Sequence, residues 1–247
     1  MRTPDELQLS ESLASSPGQA NPYEPELGSL PEAELPEGAD AAELKTGTTT
    51  VGLRAEDGVI LATDMRASLG TMVSSKTVQK VEDIHPTGAL TIAGSVSAAQ
   101  SLIRNLRAEV NLYDARQGET MSMTALSTLT SNLLRSGAFF VVVPVLGGVD
   151  DEGPHIYSMD ALGGTTEETY AVSGSGSQFA LGVLEQHYEE GMSVEEARDV
   201  AVRSVGSAVE RDTATGNGIN IATVTEEGVD IERFQDFEGV DDIRSGR

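Results

Sequence analysis

What most constrains this chain is the order in which two periodicities alternate. From Thr48 onward, short apolar runs separated by turn residues give way to a pair of helical repeats, and the cycle then recurs. "TTTVGLRA" and "VILATDM" read as strands, and "EDG", Glu56 to Gly58, as the turn that makes them a hairpin. "ALTIAGSV" is a further strand that ends at a glycine. Leu102, Leu106, Val110 and Tyr113 then share one helical face, and Leu126, Leu129 and Leu133 share another. "AFFVVVPVLGGVD", "HIYSMDALGG" and "ETYAVSG" are predicted strands joined by Gly- and Asp-containing turns. A helix is expected to start near Ser177 and to turn Phe179, Val183 and His187 or Tyr188 inward. Ser193 and Glu196 have capping-box spacing for a fourth helix, which runs to about Arg211. "GINIATVTEEGVDIERF" closes with a hairpin. Strands joined by short turns pair antiparallel. The order therefore suits an α+β fold, a four-layer α-β-β-α sandwich of two antiparallel sheets flanked by helix pairs.

Residues 1–47 do not share this pattern. They hold six of the nine prolines and ten acidic residues against two basic ones, with no sustained period. Such a composition is expected of a disordered acidic leader. The expected organisation is this leader, then a folded domain over 48–247 with a short acidic C-terminal tail.

Charge narrows the classes of partner. A net charge of −24 repels phosphate backbones, so no nucleic-acid partner is expected. Lys45, Lys76 and Lys80 are the only lysines, and arginine carries the other positive charges. Many carboxylates and few lysines suit a cytoplasm rich in salt, as in extreme halophiles; an ordinary acidic protein is the other reading. There is no cysteine, hence no disulfide, thiolate metal site or cysteine nucleophile. His85, His155 and His187 stand far apart in sequence, so neither a histidine triad nor a metal site is expected, and no cofactor is implied. The N-terminus lacks the basic-then-apolar pattern of a secretory signal. "GAFFVVVPVLGGV" is too short for a bilayer, which needs about 20 residues. A cytoplasmic location without a membrane partner is the expectation.

The chemistry centres on "LKTGTTTVGLR", Leu44 to Arg54. It reads either as a plain edge strand or as a buried start site, where cutting between Gly47 and Thr48 creates a new N-terminus. A threonine hydroxyl needs a nearby base. A freed α-amine, with an ordinary pKa of ~7.7–8.0, supplies one on the same residue. Glycine at position 47 is expected to tolerate the backbone angles that bring the Thr48 hydroxyl against its carbonyl. Lys80, in "KTVQKVED", is either a solvated edge charge or a buried ammonium that lowers the pKa of the hydroxyl and the amine. In the second case Asp64 is its candidate partner. "VSGSGSQF" and "ERDTATGNG" are polar turns beside helices, either simple loops and caps or groups that orient the amine. Gly94 is a candidate oxyanion donor through its N–H.

The ordered set "TGTTTVGL", "GVILATDMRAS", "KTVQKV", "LTIAGSVSAAQSLIR", "SGSGS" and "ERDTATGNGI" resembles the β subunits of archaeal-type proteasome core particles, which are N-terminal-nucleophile hydrolases. The resemblance covers about Gly47 to Val229. It implies that the leader is removed autocatalytically, that Thr48 is the nucleophile and that its amine is the base. It matches Asp64 and Lys80 to the charged pair beside the threonine, Ser175 to the proton-shuttling serine, Asp212 to the aspartate of the "RD" turn and Gly94 to the oxyanion donor. Thr215 stands where relatives often carry serine. It also implies a substrate pocket from Ala67, Val78, Ile92 and Val96, with Glu82 near its mouth, and cleavage after hydrophobic residues of unfolded chains. The implied partners are seven-membered β rings between α rings in a twenty-eight-subunit core particle, and a hexameric ATPase. The bacterial threonine peptidase with six-membered rings, a ring subunit that never matures and an acidic binding module are the competing readings.

Overall fold

The computed structural model describes residues 47–69, 71–139, 141–237 and 240. The expected leader, apart from Gly47, and the C-terminal tail beyond 240 lie outside the described residues. One five-stranded sheet has the order β10 (Tyr170–Gly174), β1 (Thr49–Arg54), β2 (Val59–Asp64), β11 (Ile219–Thr225), β12 (Gly228–Phe234). A second has the order β5 (Val81–His85), β6 (Gly88–Thr91), β7 (Val145–Asp150), β8 (Gly153–Met159), β9 (Thr165–Glu168). Every pairing in both sheets is antiparallel. A small hairpin, β3 (Ala67–Leu69) and β4 (Met72–Ser75), stands apart.

Strand alternation sorts the apolar side chains into three layers. Val59, Leu61, Val145, Ile156 and Val224 meet between the two sheets. Val51, Leu53, Ile60, Ala62 and Ile221 point the other way, under α3 (Ser177–His187) and α4 (Val194–Arg211). Leu90, Leu146 and Tyr157 lie under α1 (Val96–Gln117) and α2 (Met123–Arg135). This is the four-layer sandwich with which the order of periodicities is consistent. Ser95 and Ser122 cap α1 and α2 with their side chains, and the Ser193–Glu196 capping box is formed as expected.

Three local expectations are corrected. The buried face of α2 is Met123, Leu126, Ser127, Thr130, Ser131 and Leu134, with Leu129 and Leu133 only flanking it. The hydroxyls of Thr130 and Ser131 are satisfied by Leu126 O and Gly163 O, so small polar residues take the close contact. On α3 the buried residues are Ala180 and Leu184, while Phe179 is 39% exposed and His187 is exposed. The stretch "AFFVVVPVLGGVD" forms a strand only from Val145. Pro144 offers no N–H to a ladder, and before it Val142 makes a single isolated bridge with Gly94.

No described helix is long and apolar enough to cross a membrane.

Candidate active site

β1 is an interior strand, hydrogen-bonded to β10 on one side and β2 on the other, so the threonine run is not an edge. Thr48, one residue before this strand, is 3% exposed. Its Oγ1 donates to Gly47 O at 2.6 Å, which lays the hydroxyl against the carbonyl of the preceding peptide. Its nitrogen, here the amide of the Gly47–Thr48 bond, donates to Ser175 Oγ at 3.2 Å.

Lys80 directly precedes β5 and is 1% exposed. Its Nζ stands 2.8 Å from Thr48 Oγ1 and 2.8 Å from Asp64 Oδ1. The solvated-charge reading of Lys80 therefore falls. Asp64, the last residue of β2, is fully buried but fully used. Its Oδ1 also accepts from Thr49 N–H, and its Oδ2 accepts from the N–H groups of Arg66 and Gly216, each at 3.0 Å. A buried carboxylate is tolerable when its lone pairs are occupied in this way. Burial pushes the Lys80 ammonium below the usual lysine range, the Asp64 carboxylate pulls it back up, and the nearby Arg66 charge lowers it further.

Asp212 caps α4 and gathers a second set of groups. Its Oδ2 accepts from Ser175 Oγ at 2.5 Å and from Thr215 Oγ1 at 2.6 Å. With the Thr215 proton directed at Asp212, the 2.7 Å contact between Thr49 and Thr215 is donated by Thr49. A continuous chain thus runs from Thr48 N–H through Ser175 to Asp212, and returns through Thr215 to Thr49. Ser175 is exposed whereas Thr215 is buried, so one arm of this chain meets solvent and the other is structural.

Two glycines admit close approach. Gly174 has φ 94°, and a Cβ on it would lie 2.2 Å from Thr48 O. Gly94 has φ 110°, and a Cβ there would lie 1.7 Å from Val141 O. Ser95 N–H bonds Val141 O and Val143 N–H bonds Ala93 O, so Gly94 and Val142 form a non-hydrogen-bonded pair. The N–H of Gly94 consequently points away from that bridge.

Of the expected pocket residues, Ala67, Val78 and Val96 are half-buried, while Ile92 is 2% exposed and belongs to the core under α1 and α2. Glu82 is engaged by the Arg107 guanidinium at 3.1 Å.

Arg66 and Asn217 were not singled out from the sequence. Arg66 Nε donates to Asn217 Oδ1 at 3.0 Å, and Nη1 donates to Thr213 O at 2.7 Å. The guanidinium thereby clamps the turn that follows Asp212. The available signals were an arginine two residues past Asp64 and an asparagine in "TGNG", a turn context that favours the observed φ of 72°.

A family model described as "Proteasome subunit" matches residues 44–224. A proteasome subunit beta of Haloferax volcanii is 64% identical over 98% of this chain and 100% of its own length. Those of Halorubrum lacusprofundi and Haloquadratum walsbyi are 62% and 64% identical, each over 96% of this chain and 99% of its own length.

Proposed function

The chain belongs to the proteasome subunit family, among its haloarchaeal β subunits, and on that premise we propose that Thr48, freed from Gly47 by self-cleavage, is the nucleophile. The activity is that of a threonine-type peptidase in the proteasome core. The observation that carries the residue assignment is the buried ammonium of Lys80, 2.8 Å from the hydroxyl of a threonine whose Oγ1 is 2.6 Å from Gly47 O.

In the first reaction the Thr48 hydroxyl attacks the Gly47 carbonyl carbon, and the Gly47–Thr48 C–N bond breaks as the hydroxyl proton passes to the nitrogen. Water then hydrolyses the resulting ester on Thr48 Oγ1, releasing residues 1–47 as a propeptide with a carboxylate at Gly47. The new α-amine takes over the hydrogen bond to Ser175 Oγ. In peptide hydrolysis this amine accepts the hydroxyl proton, with Lys80 lowering the proton affinity of both groups by its charge. Asp64 holds Lys80, and Asp212 holds Ser175, with Thr215 fixing the Asp212 carboxylate. The N–H of Gly94 receives the developing oxyanion. The scissile C–N bond breaks as the Thr48 ammonium returns its proton to the leaving amine, and the acyl group stays as an ester on Thr48 Oγ1. Water, deprotonated by the same Thr48 amine, hydrolyses that ester to a carboxylate and the free hydroxyl.

Ala67, Val78 and Val96, with Ile92 behind them, line an apolar pocket that favours hydrophobic residues before the cut. The substrates are unfolded polypeptides. Seven-membered β rings stacked between α rings would enclose the site, a hexameric ATPase would deliver the substrate, and the particle would work in the cytoplasm. The intact mass of the assembled particle tests the scheme. A chain beginning at Thr48 is expected, and T48A should retain residues 1–47 and hydrolyse no peptide. An active particle whose chains all begin at Met1 would overturn it.

A further inference from the structure

The self-cleavage proposed above asks for glycine at position 47, and the structure supplies a steric reason. A Cβ on Gly47 would stand 1.7 Å from Ala214 Cβ, 2.7 Å from its Cα and 3.0 Å from its carbonyl carbon. Carbon atoms come to rest about 3.5–4.0 Å apart, so the overlap is severe. Neither partner can turn away, because a methyl carbon has no torsion that moves it.

The Ala214 backbone is also held in place. Its N–H donates to Asp212 Oδ1 at 3.2 Å, and its carbonyl accepts from Ser68 Oγ at 3.2 Å. On either side, Thr213 O is bound by Arg66 and Gly216 N–H is bound by Asp64. Behind the turn, a Cβ on Gly216 would lie 2.4 Å from the Arg66 guanidinium, so that side is filled as well.

We infer that Ala214 is the specificity-determining residue for self-cleavage, a size limit that admits only glycine before the nucleophile. The inference rests on the self-cleavage reading and adds to it. A side chain at position 47 has two ways to fit. It can rotate the Gly47 carbonyl away from Thr48 Oγ1, or it can push the 212–216 turn outward. The second route carries Asp212 off Ser175 and Thr215 off Thr49. Either way the residue to be cleaved and the groups beside the nucleophile cannot both be in place.

The test is a time course of leader loss, read by intact mass, for the full-length chain assembled in its particle. G47A is expected to mature at least tenfold more slowly than the native chain. G47A/A214G should regain at least threefold of that loss, since the overlap between the two methyls is gone while the crowding against the backbone of the turn remains. A214V, with Gly47 intact, crowds the same gap from the turn side and should slow maturation at least threefold. The inference is overturned if G47A matures at the native rate, or if the double variant is no faster than G47A. Should the double variant not fold, A214V still decides: maturation at the native rate sinks the size limit. A native chain that keeps its leader in an active particle removes the self-cleavage reading itself, and this inference with it.

Discussion

Lys80 Nζ stands 2.8 Å from Thr48 Oγ1, and the same nitrogen spends a second hydrogen bond on Asp64. One cation therefore joins the nucleophile to the end of β2, across a space closed to solvent. A guanidinium is planar and longer, so it cannot keep both contacts inside a site where the lysine is 1% exposed. K80R is expected to lower peptide hydrolysis by about a hundredfold or more while the particle still assembles. Hydrolysis within a factor of two of the native rate would remove Lys80 from the chemistry.

Arg66 acts one step further out. It fastens Thr213 O and Asn217 to the chain leaving β2, and so sets the turn that carries Asp212 and Thr215. R66A should loosen that turn and cut peptide hydrolysis by about tenfold or more, with a smaller loss in R66K, which keeps the charge but not the fork. Peptide hydrolysis in R66A at the native rate would show that the turn holds itself.

His85 is buried at the far end of β5, where its Nδ1 accepts from Thr87 N–H at 3.1 Å. Burial holds it below the usual histidine range, against a backbone contact with Met121 and the opposing carboxylates of Asp114 and Asp150. The unfolded chain thus binds a proton here that the folded chain refuses. Stability rises with pH through this window and falls as the pH drops below about 6.5, the ordinary histidine value. Thermal inactivation between pH 7.5 and 5.5 should accelerate less in H85Q than in the native chain. Equal acceleration in both would exclude His85 as a source of the acid sensitivity.

The layers and the position of Lys80 have a signal in spacing or scarcity, whereas the roles given to Ser175, Asp212, Thr215 and the pocket residues rest on the resemblance carried by the ordered motifs. Alternation and short turns are consistent with the sandwich, and Lys80 stands out as one of three lysines. Burial direction on the helices was harder to read. Leu129 and Leu133 look like a core stripe, yet Thr130 and Ser131 take the close contact because their hydroxyls find backbone acceptors. Phe179 looks like an anchor, yet the sheet admits only Ala180 and Leu184. The β3–β4 hairpin, with Met72 at 69% exposure, carries no alternation that separates it from a loop. Arg66 and Ala214 were invisible for a different reason. Their roles arise where the end of β2, the turn after α4 and the entry to β1 converge, and no local pattern records such a meeting.

Salt dependence follows from the ratio of charges. The full chain carries a net charge of −24, of which −8 lies in residues 1–47, with two basic and ten acidic side chains, so the part from Thr48 onward still carries −16. Arg54 meets Glu190, which is 77% exposed, and Arg107 divides one guanidinium between Glu82 and Asp83. Exposed pairs of this kind contribute about 0–1 kcal/mol each, too little to offset the mutual repulsion of so many carboxylates. Near 1 M salt the screening length is about 3 Å, and at 0.1 M it is about 10 Å, long enough for neighbouring carboxylates to repel. Transfer from about 2 M to about 0.1 M potassium chloride should therefore dissociate or unfold the particle and abolish hydrolysis. Choline chloride at equal ionic strength should protect as well as potassium chloride, because screening does not depend on the identity of the cation. Sucrose at low salt should protect poorly, because it strengthens apolar burial without screening charge. Protection by sucrose alone would mean that low salt weakens the hydrophobic core and not the charge balance.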